Sequence, residues 1–273
     1  MNPEKKESST ENLLISSDLE KKKESGASDQ DESVELEINL LKRKLKNVEE
    51  ELRVKNNRIA ELESLVKLKE ENGIQIVKLP GIEDFEAAFE DIPSAGPKWM
   101  VIQRRIDGTV SFNTLNFMHK YWYKQGFGNL EREFWFGCQK LHELTTSRRH
   151  ELYIQIADFD GATAYARYDN FVIGSENEGY TLRSLGAYSG DAGDALSASV
   201  NKKFKHNGCY YGCYNREFCW SWWANSQCNL NGYYHSSQMN LTDENGIWWS
   251  TWNGRGRLNL KSCKMLIRPF QNE

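Results

Sequence analysis

Residues 209–252 read CYYGCYNREFCWSWWANSQCNLNGYYHSSQMNLTDENGIWWSTW, and this is the most distinctive stretch of the chain. It holds six of the nine tryptophans and four of the six cysteines in the sequence. Large aromatic side chains are buried more often than exposed, so most of these tryptophans are predicted to fill a core. A segment this rich in aromatic residues, Asn and Gly also favours a presented surface, which we expect near Cys228, Tyr233 and Tyr234.

The aromatic residues divide the chain into two parts. Every Phe, Tyr and Trp lies between Phe85 and Phe270, so only the second part can build an aromatic core. Residues 73–273 contain 21 basic and 21 acidic side chains. This balance, with no basic patch, predicts no nucleic-acid partner. No run approaches the roughly 20 apolar residues of a membrane span, so no membrane partner is predicted either.

The chain begins with a polar segment. Residues 1–33 are mostly Ser, Glu, Lys and Asp with little apolar surface to bury, which is typical of a disordered N-terminus. Leu13, Leu14 and Ile15 form its apolar cluster. They fall short of the roughly 7 to 15 apolar residues of a signal peptide, so we expect no export signal in this sequence.

Residues 34–72 repeat apolar positions in alternating steps of four and three, which predicts a coiled coil. The positions predicted to form its self-association seam are Ile38, Leu41, Leu45, Val48, Leu52, Ile59 and Leu62. Lys55 and Lys69 interrupt the repeat. Flanking charges of opposite sign, such as Glu37 and Lys42, would face each other in a parallel homo-oligomer. The alternative is an isolated charged helix. The pattern is compatible with a coiled coil of either two or three chains.

Residues 73–273 are predicted to form an α+β domain with a mainly antiparallel sheet and short helices. Asp107-Gly108 and Asp160-Gly161 are predicted hairpin turns, and residues 84–98 a loop. Strands are predicted at 74–79, 99–105, 110–112, 152–156 and 165–168, and short helices at 117–124 and 136–144.

Several motifs in this part follow the order found in one known family. They are WMVIQRRIDG (99–108), GFG (126–128), EFW (133–135), GDAGD (190–194), LNG (230–232) and NGIWW (245–249). Through them, the chain from about residue 73 to residue 273 resembles the fibrinogen C-terminal globular domain of ficolins, tachylectins, angiopoietins and tenascins. The resemblance implies an extracellular recognition domain behind a stalk. An intracellular location stays open because no export signal is expected.

The resemblance also implies a binding site near the C-terminus. It implies a disulfide between Cys213 and Cys228, a cis peptide between Gln227 and Cys228, and a ligand pocket beside the loop that this disulfide closes. The ligand-binding candidates are Tyr233, Tyr234, Trp222, Trp223, Asn229 and Cys228.

The sequence departs from the family pattern in three places. Phe89 stands where the second cysteine of an N-terminal disulfide is expected. Residues 201–208 offer lysines where relatives place calcium-binding aspartates, so we predict no calcium and no other cofactor. Asn229 replaces the His that often follows the cysteine at position 228. This last change leaves recognition of acetyl groups and protein binding as alternatives.

Other chemistry has less support. Cysteines 209, 213, 219 and 228 lack the paired spacing of structural zinc sites. The sequence has no nucleophile elbow, zinc-protease motif or phosphate-binding loop, so no enzyme is predicted. Cys138 and Cys263 are expected to be buried thiols. Asn240 begins the single N-glycosylation sequon.

We therefore predict a non-enzymatic, oligomeric recognition protein with lectin-like binding of glycans or acetylated groups and a role in innate immunity. A coiled coil would present several weak sites together and raise avidity. A protein-binding ligand, or a structural oligomer whose pocket has lost sugar binding, is the main alternative. A third is an intracellular coiled-coil protein with reduced cysteines.

Overall fold

The computed structural model describes residues 29–71, 73–79, 83–113, 119–206, 221–223, 226–241, 246–254 and 256–271. The chain separates into two compact units, Met1–Leu68 and Lys69–Glu273. This division lies close to the predicted boundary at residue 72. No helix among the described residues is long and apolar enough to cross a membrane.

The first unit is built on one long helix, α1, which spans Asp29–Glu71. The helix begins inside the segment predicted to be disordered, so residues 29–33 are helical, whereas residues 1–28 lie outside the described part. The seven predicted seam positions are between 44% and 59% exposed. An apolar stripe on one face of a helix is stable in water only when another surface covers it. The single chain leaves this stripe uncovered.

The second unit contains fifteen strands and two short α-helices among its described residues. The helices are α2 (His119–Gln125) and α3 (Cys138–Ser147). The strands are β1 (Ile74–Val77), β2 (Phe85–Ile92), β3 (Gly96–Arg105), β4 (Phe127–Gly128), β5 (Phe134–Trp135), β6 (His150–Ala157), β7 (Thr163–Tyr168), β8 (Val172–Ile173), β9 (Leu182–Ser184), β10 (Tyr188–Gly190), β11 (Phe204–His206), β12 (Ser221–Trp223), β13 (Cys228–Asn229), β14 (Trp248–Trp249) and β15 (Ser262–Pro269).

One antiparallel sheet forms the centre of this unit. Its strands lie in the order β1-β2-β3-β15-β6-β7-β10, and β5 pairs with both β3 and β4. In the middle, Met265 of β15 lies opposite Gln103 of β3 on one side and Ile154 of β6 on the other. The predicted antiparallel α+β fold is confirmed. The sheet joins strands that are far apart in the sequence.

The hairpin predicted at Asp160-Gly161 is confirmed as the β6–β7 pair, in which Ile154 lies opposite Ala166. The turn is closed by a hydrogen bond from the Asp158 amide to the Ala162 carbonyl, at 3.0 Å. Alternation of apolar and polar residues on both sides of a tight turn was therefore a sufficient signal here.

Two predictions for residues 84–112 are wrong. The predicted loop at residues 84–98 contains the eight-residue strand β2. The predicted hairpin at Asp107-Gly108 does not form, and residues 110–112 are not a strand. The reason lies in the sheet, because the end of β3 already pairs with β15 on one edge and β5 on the other. The chain leaving β3 has no free edge to fold back on.

Most of the described tryptophans are core residues, as predicted. Seven are at most 4% exposed, namely Trp99, Trp135, Trp222, Trp223, Trp248, Trp249 and Trp252. Trp122 is half-buried. Trp220 lies outside the described residues. These seven tryptophans therefore build an interior, whereas Tyr233 of the aromatic segment 209–252 is exposed.

Candidate ligand-binding cavity

The site begins at the end of β3, where Gln103 and Arg105 point to the same face of the sheet because side chains alternate along a strand. Both are fully buried. The Gln103 amide donates to the Leu230 carbonyl at 2.8 Å, and Nη1 of Arg105 donates to the Gly232 carbonyl at 2.8 Å. These bonds fasten the Leu-Asn-Gly segment onto the central sheet.

Asn231 extends this buried network. Its side-chain Nδ2 donates to the Ser221 carbonyl at 3.0 Å, and its backbone amide donates to Oδ1 of Asn229 at 3.0 Å. Asn229 and Asn231 are at most 3% exposed. Because both side chains bond to nearby protein groups, Asn229 positions the segment and does not present its amide to solvent.

Three further ligand-binding candidates are also buried. Trp222, Trp223 and Cys228 are at most 1% exposed. Nε1 of Trp223 donates to the Tyr180 carbonyl at 2.8 Å, and the Cys228 sulfur lies 3.4 Å from the Ala195 carbonyl oxygen. These three side chains pack beneath the surface and support it, so a ligand has no access to them in this structure.

The predicted Cys213–Cys228 disulfide involves Cys213, which lies outside the described residues, so the bond stays a prediction. The implied cis peptide between Gln227 and Cys228 is wrong. Both residues are described, and none of the described peptide bonds is cis. Cys138 and Cys263 are buried thiols, as predicted. Burial raises the pKa of Cys263 to about 12, so this sulfur stays protonated at neutral pH.

A single carboxylate shapes the loop that follows β3. Glu133 is fully buried. Its Oε1 accepts the backbone amides of Ile106, Asp107 and Gly108 at 2.7–3.1 Å, and its Oε2 accepts the amide of Val110 at 2.9 Å. Four amide donors around one carboxylate compensate its burial. Glu133 thus replaces the sheet ladder that a hairpin would have supplied.

Tyr234 joins this loop to the segment after Gly232. Gly108 has a φ of +75°, and a Cβ atom there would lie 2.8 Å from the Tyr234 ring. The Tyr234 hydroxyl donates to the Ile106 carbonyl at 2.9 Å. Burial raises the pKa of Tyr234 above its ordinary value, so the hydroxyl keeps its proton and its donor role. Only glycine permits this close approach of ring and backbone.

The loop that follows β3 and the segment that follows Gly232 line an open cavity of about 360 Å³. Its lining includes Arg105, Asp107, Ser111, Phe112, Asn113, Tyr233, Tyr234 and Ser236. Tyr233 is 57% exposed. Its ring meets the His235 ring edge to face, with centroids 5.0 Å apart. Tyr233 and Tyr234 are thus the two predicted ligand-binding residues that reach the cavity.

The floor of the cavity carries a buried positive charge. Arg105 is 1% exposed and its guanidinium lies 3.9 Å from the centre of the Phe112 ring. Its Nε is 3.8 Å from Oε1 of Glu133, too far for a hydrogen bond, and has no hydrogen-bond partner among the described residues. Burial lowers the pKa of Arg105, but arginine starts so high that it stays charged at neutral pH.

The other charge at the cavity is already paired. Oδ2 of Asp107 lies 2.6 Å from Nη2 of Arg132, and Oδ1 accepts the hydroxyl of Thr109 at 2.6 Å. The hydrogen bonds from Thr109, together with Arg132, hold the pKa of Asp107 below its ordinary value. Asp107 therefore contributes little uncompensated charge, and the Glu133 carboxylate, 3.8 Å from Arg105, offsets the positive charge of that arginine.

The described residues contain no group of three or more His, Cys, Asp or Glu side chains placed to hold a metal ion. Of the segment predicted to have lost calcium, residues 201–206 are described, and Asn201, Lys202 and Lys203 are exposed there. Carboxylate oxygens, which calcium prefers, are missing from these six residues.

Asn240 is exposed and forms an isolated bridge with Leu258. We expect it to carry an N-linked glycan when the chain passes through a secretory pathway, since the sequon needs an accessible Asn. Removal of N-glycans should then increase electrophoretic mobility. Thr242→Ala should abolish this shift, whereas Thr242→Ser preserves the sequon and should retain it. A secreted wild-type chain without the shift would contradict the prediction.

Sequence reasoning missed Glu133, Arg105 and Phe112 as site residues. Glu133 follows Glu131 and Arg132, and Arg105 follows Gln103 and Arg104, so the local pattern does not distinguish these two buried charges from their charged and polar neighbours. Their partners lie far along the chain, so the sequence offers no way to assign them.

Known proteins share this architecture. The family described as fibrinogen beta and gamma chains, C-terminal globular domain, matches residues 62–270. Fibrinogen-like protein 1 of Bos taurus is 39% identical over 198 residues, covering 64% of this chain and 61% of that protein. Fibroleukin of Homo sapiens is 36% identical over 214 residues, covering 70% of this chain and 46% of that protein. The chain thus spans 46–61% of the length of these curated relatives.

Solved structures show the same fold. The fibrinogen-like globe domain of human ANGPTL6 has a TM-score of 0.63 at 33% identity, covering 74% of this chain and 91% of that domain. The corresponding domain of human ANGPTL2 has a TM-score of 0.64 at 31% identity, covering 77% and 98%. Lamprey fibrin D-dimer, solved with the peptide Gly-His-Arg-Pro-amide, has a TM-score of 0.60 at 23% identity, covering 89% and 95%. At that identity it supports the fold alone.

Proposed function

We propose, from the premise that this chain belongs to the fibrinogen C-terminal globular domain family, that it is a non-enzymatic recognition protein whose ligand binds in the Tyr233–Tyr234 cavity. The observation that carries this proposal is an open cavity of about 360 Å³ beside a tyrosine that is 57% exposed. Ligand sites are usually concave and largely pre-formed, at about 300–1,000 Å³. The cavity lies at the small end of that range and suits one small group.

Both walls of the cavity are held by buried bonds before any ligand arrives. Glu133 holds the loop at residues 106–110, and Arg105 holds Gly232. A ligand therefore does not have to order these segments, which preserves affinity.

The lining favours a glycan. Tyr233 offers a flat apolar surface, and Ser111 and Ser236 offer hydroxyl groups. A sugar presents both an apolar ring face and several hydroxyls, so an aromatic surface beside a few polar groups is suited to it.

The α1 helix supplies the second element of the proposal. We place its exposed seam in a parallel homo-oligomer, because the seam is uncovered in the single chain and its flanking charges are complementary between copies. Several copies of a weak site then act together. Such an oligomer fits a secreted, lectin-like protein of innate immunity, which is the role that the family resemblance favours.

The test is a glycan array probed with the full chain, with Tyr233→Ala as the variant. Loss of the exposed ring should weaken binding by about tenfold, since an aromatic contact contributes on the order of 1 kcal/mol or more. Tyr121→Ala is the matched control, because Tyr121 is 54% exposed and does not line the cavity. Equal binding by both variants would contradict the assignment of the cavity.

A protein ligand is the second candidate. Ile106 and Tyr233, on the two segments that form the cavity, are 42% and 57% exposed, and exposed apolar side chains around a concavity are typical of protein interfaces. Silence on the array, with capture of a defined extracellular polypeptide that Tyr233→Ala abolishes, would select this alternative.

A further inference from the structure

Building on the parallel oligomer of the proposed function, we infer that Lys55, at a seam position of α1, pairs with Glu51 of a neighbouring copy, and that this contact holds the copies in register. The inference names the contact that aligns the oligomer and rests on that oligomer. It concerns α1 alone and is independent of the ligand that the cavity binds.

Lys55 is the one charged side chain at a seam position between residues 38 and 66. It stands between Leu52 and Ile59, in the alternating steps of three and four that the apolar positions follow. Equivalent seam residues meet in a parallel, in-register oligomer, so the ammonium groups of neighbouring copies come close together. Such a layer is unfavourable unless an acidic group lies within reach of each ammonium.

Glu51 is the acidic group that the in-register arrangement places there. Three of the four flanking pairs between copies join opposite charges, namely Glu37 with Lys42, Lys44 with Glu49, and Arg58 with Glu63. The fourth pair sets Glu51 beside Asn56, an uncharged residue that directly follows Lys55. Glu51 therefore lies next to Lys55 of the other copy. The long lysine side chain can carry its ammonium from the seam to this flank.

Neither side chain is committed within its own chain. The neighbouring Glu50 pairs with Arg53 on the same helix, at 2.6 Å. Glu51 and Lys55 are both exposed, and within the described part of the chain they form no salt bridge. Residues four apart on a helix are close enough to pair, so this pair was open to the single chain. Both charges therefore remain available to another copy.

A shift of one copy by one heptad replaces this attraction by repulsion. Lys55 then lies beside Lys44 or Arg58 of the other copy instead of Glu51, and like charges repel. The flanking residue beside Glu51 is then itself acidic, either Glu49 or Glu63. The in-register alignment satisfies both charges, and it ends every α1 helix of the oligomer at the same level.

A double-mutant cycle on the full chain tests the contact, with association constants measured by analytical ultracentrifugation. Glu51→Gln should weaken association of the wild-type chain about fivefold, since each copy loses an ion pair. Lys55→Leu should strengthen association about tenfold or more, because it completes the apolar seam. In the Lys55→Leu background, Glu51→Gln should change association by less than about twofold, because the cation that it would pair with is gone.

Glu50→Gln is the matched control, since Glu50 is the adjacent glutamate and pairs with Arg53 of its own chain. It should change association by less than about twofold in either background. High salt should weaken the wild type more than Lys55→Leu, because ions screen the pair. No effect of Glu51→Gln, or an equal effect with and without Lys55, would overturn the inference and leave the coiled coil intact. A monomeric wild-type chain would overturn both, and the glycan array decides the ligand separately.

Discussion

Replacing Glu133 by Gln is expected to lower the free energy of unfolding of the globular part by about 3–5 kcal/mol. Glu133 accepts four backbone amides and lies 3.8 Å from the buried Arg105. Gln keeps the shape but offers one acceptor oxygen and turns an NH₂ group toward amides that are also donors. The variant therefore leaves buried amides unsatisfied and Arg105 without a nearby negative charge.

Urea denaturation of the full chain, followed by tryptophan fluorescence, measures this loss as a lower midpoint. The control is Glu131→Gln, which makes the same chemical change two residues away on an exposed side chain. That control should change stability by no more than about 0.5 kcal/mol. A loss below about 1 kcal/mol in Glu133→Gln would show that the loop at residues 106–110 is held by other bonds.

Replacing both Leu45 and Leu52 by Asp is expected to convert the proposed coiled-coil oligomer into a monomer. Both residues are predicted seam positions and are 59% and 56% exposed in the single chain. In a parallel homo-oligomer they would meet their counterparts, so each Asp buries a charge beside an identical charge. The helix of a single chain tolerates the change, because there both positions face water.

Analytical ultracentrifugation of the full chain reads the result directly. Val54→Asp is the matched control, since Val54 is 57% exposed on the same helix but lies outside the seam. It should leave the mass of the oligomer unchanged. Loss of the oligomer should also reduce binding to a glycan-coated surface by about 100-fold, with little effect on binding of a free sugar. A wild-type chain that is already monomeric would overturn the coiled-coil prediction.

The contrast between two turns shows how far local sequence signals reach in this protein. Asp160-Gly161 and Asp107-Gly108 look alike as hairpin signals, and only the first forms a hairpin. At the first, the strand beside the turn has an edge available for its own return. At the second, β15 and β5 already occupy both edges of β3. Turn propensity is local, but edge availability depends on strands that come much later in the chain.

The candidate residues of the cavity show the same limit. Tyr233 and Tyr234 reach it, whereas Trp222, Trp223 and Cys228 are buried. All five lie in one aromatic segment, and no periodicity in that segment distinguishes the interior from the rim. Packing against the central sheet makes that distinction.

The sequence by itself determined the features that depend on neighbours along the chain: the long helix with its apolar stripe, the β6–β7 hairpin, and the ordered motifs that place the chain in its family. Only the tertiary structure decided where the cavity lies, because Arg105 and Gly232, and likewise Gln103 and Leu230, meet across more than a hundred residues. Helical and strand periods act over a few residues, so no local pattern encodes such contacts. They form only when the folded sheet brings those segments together.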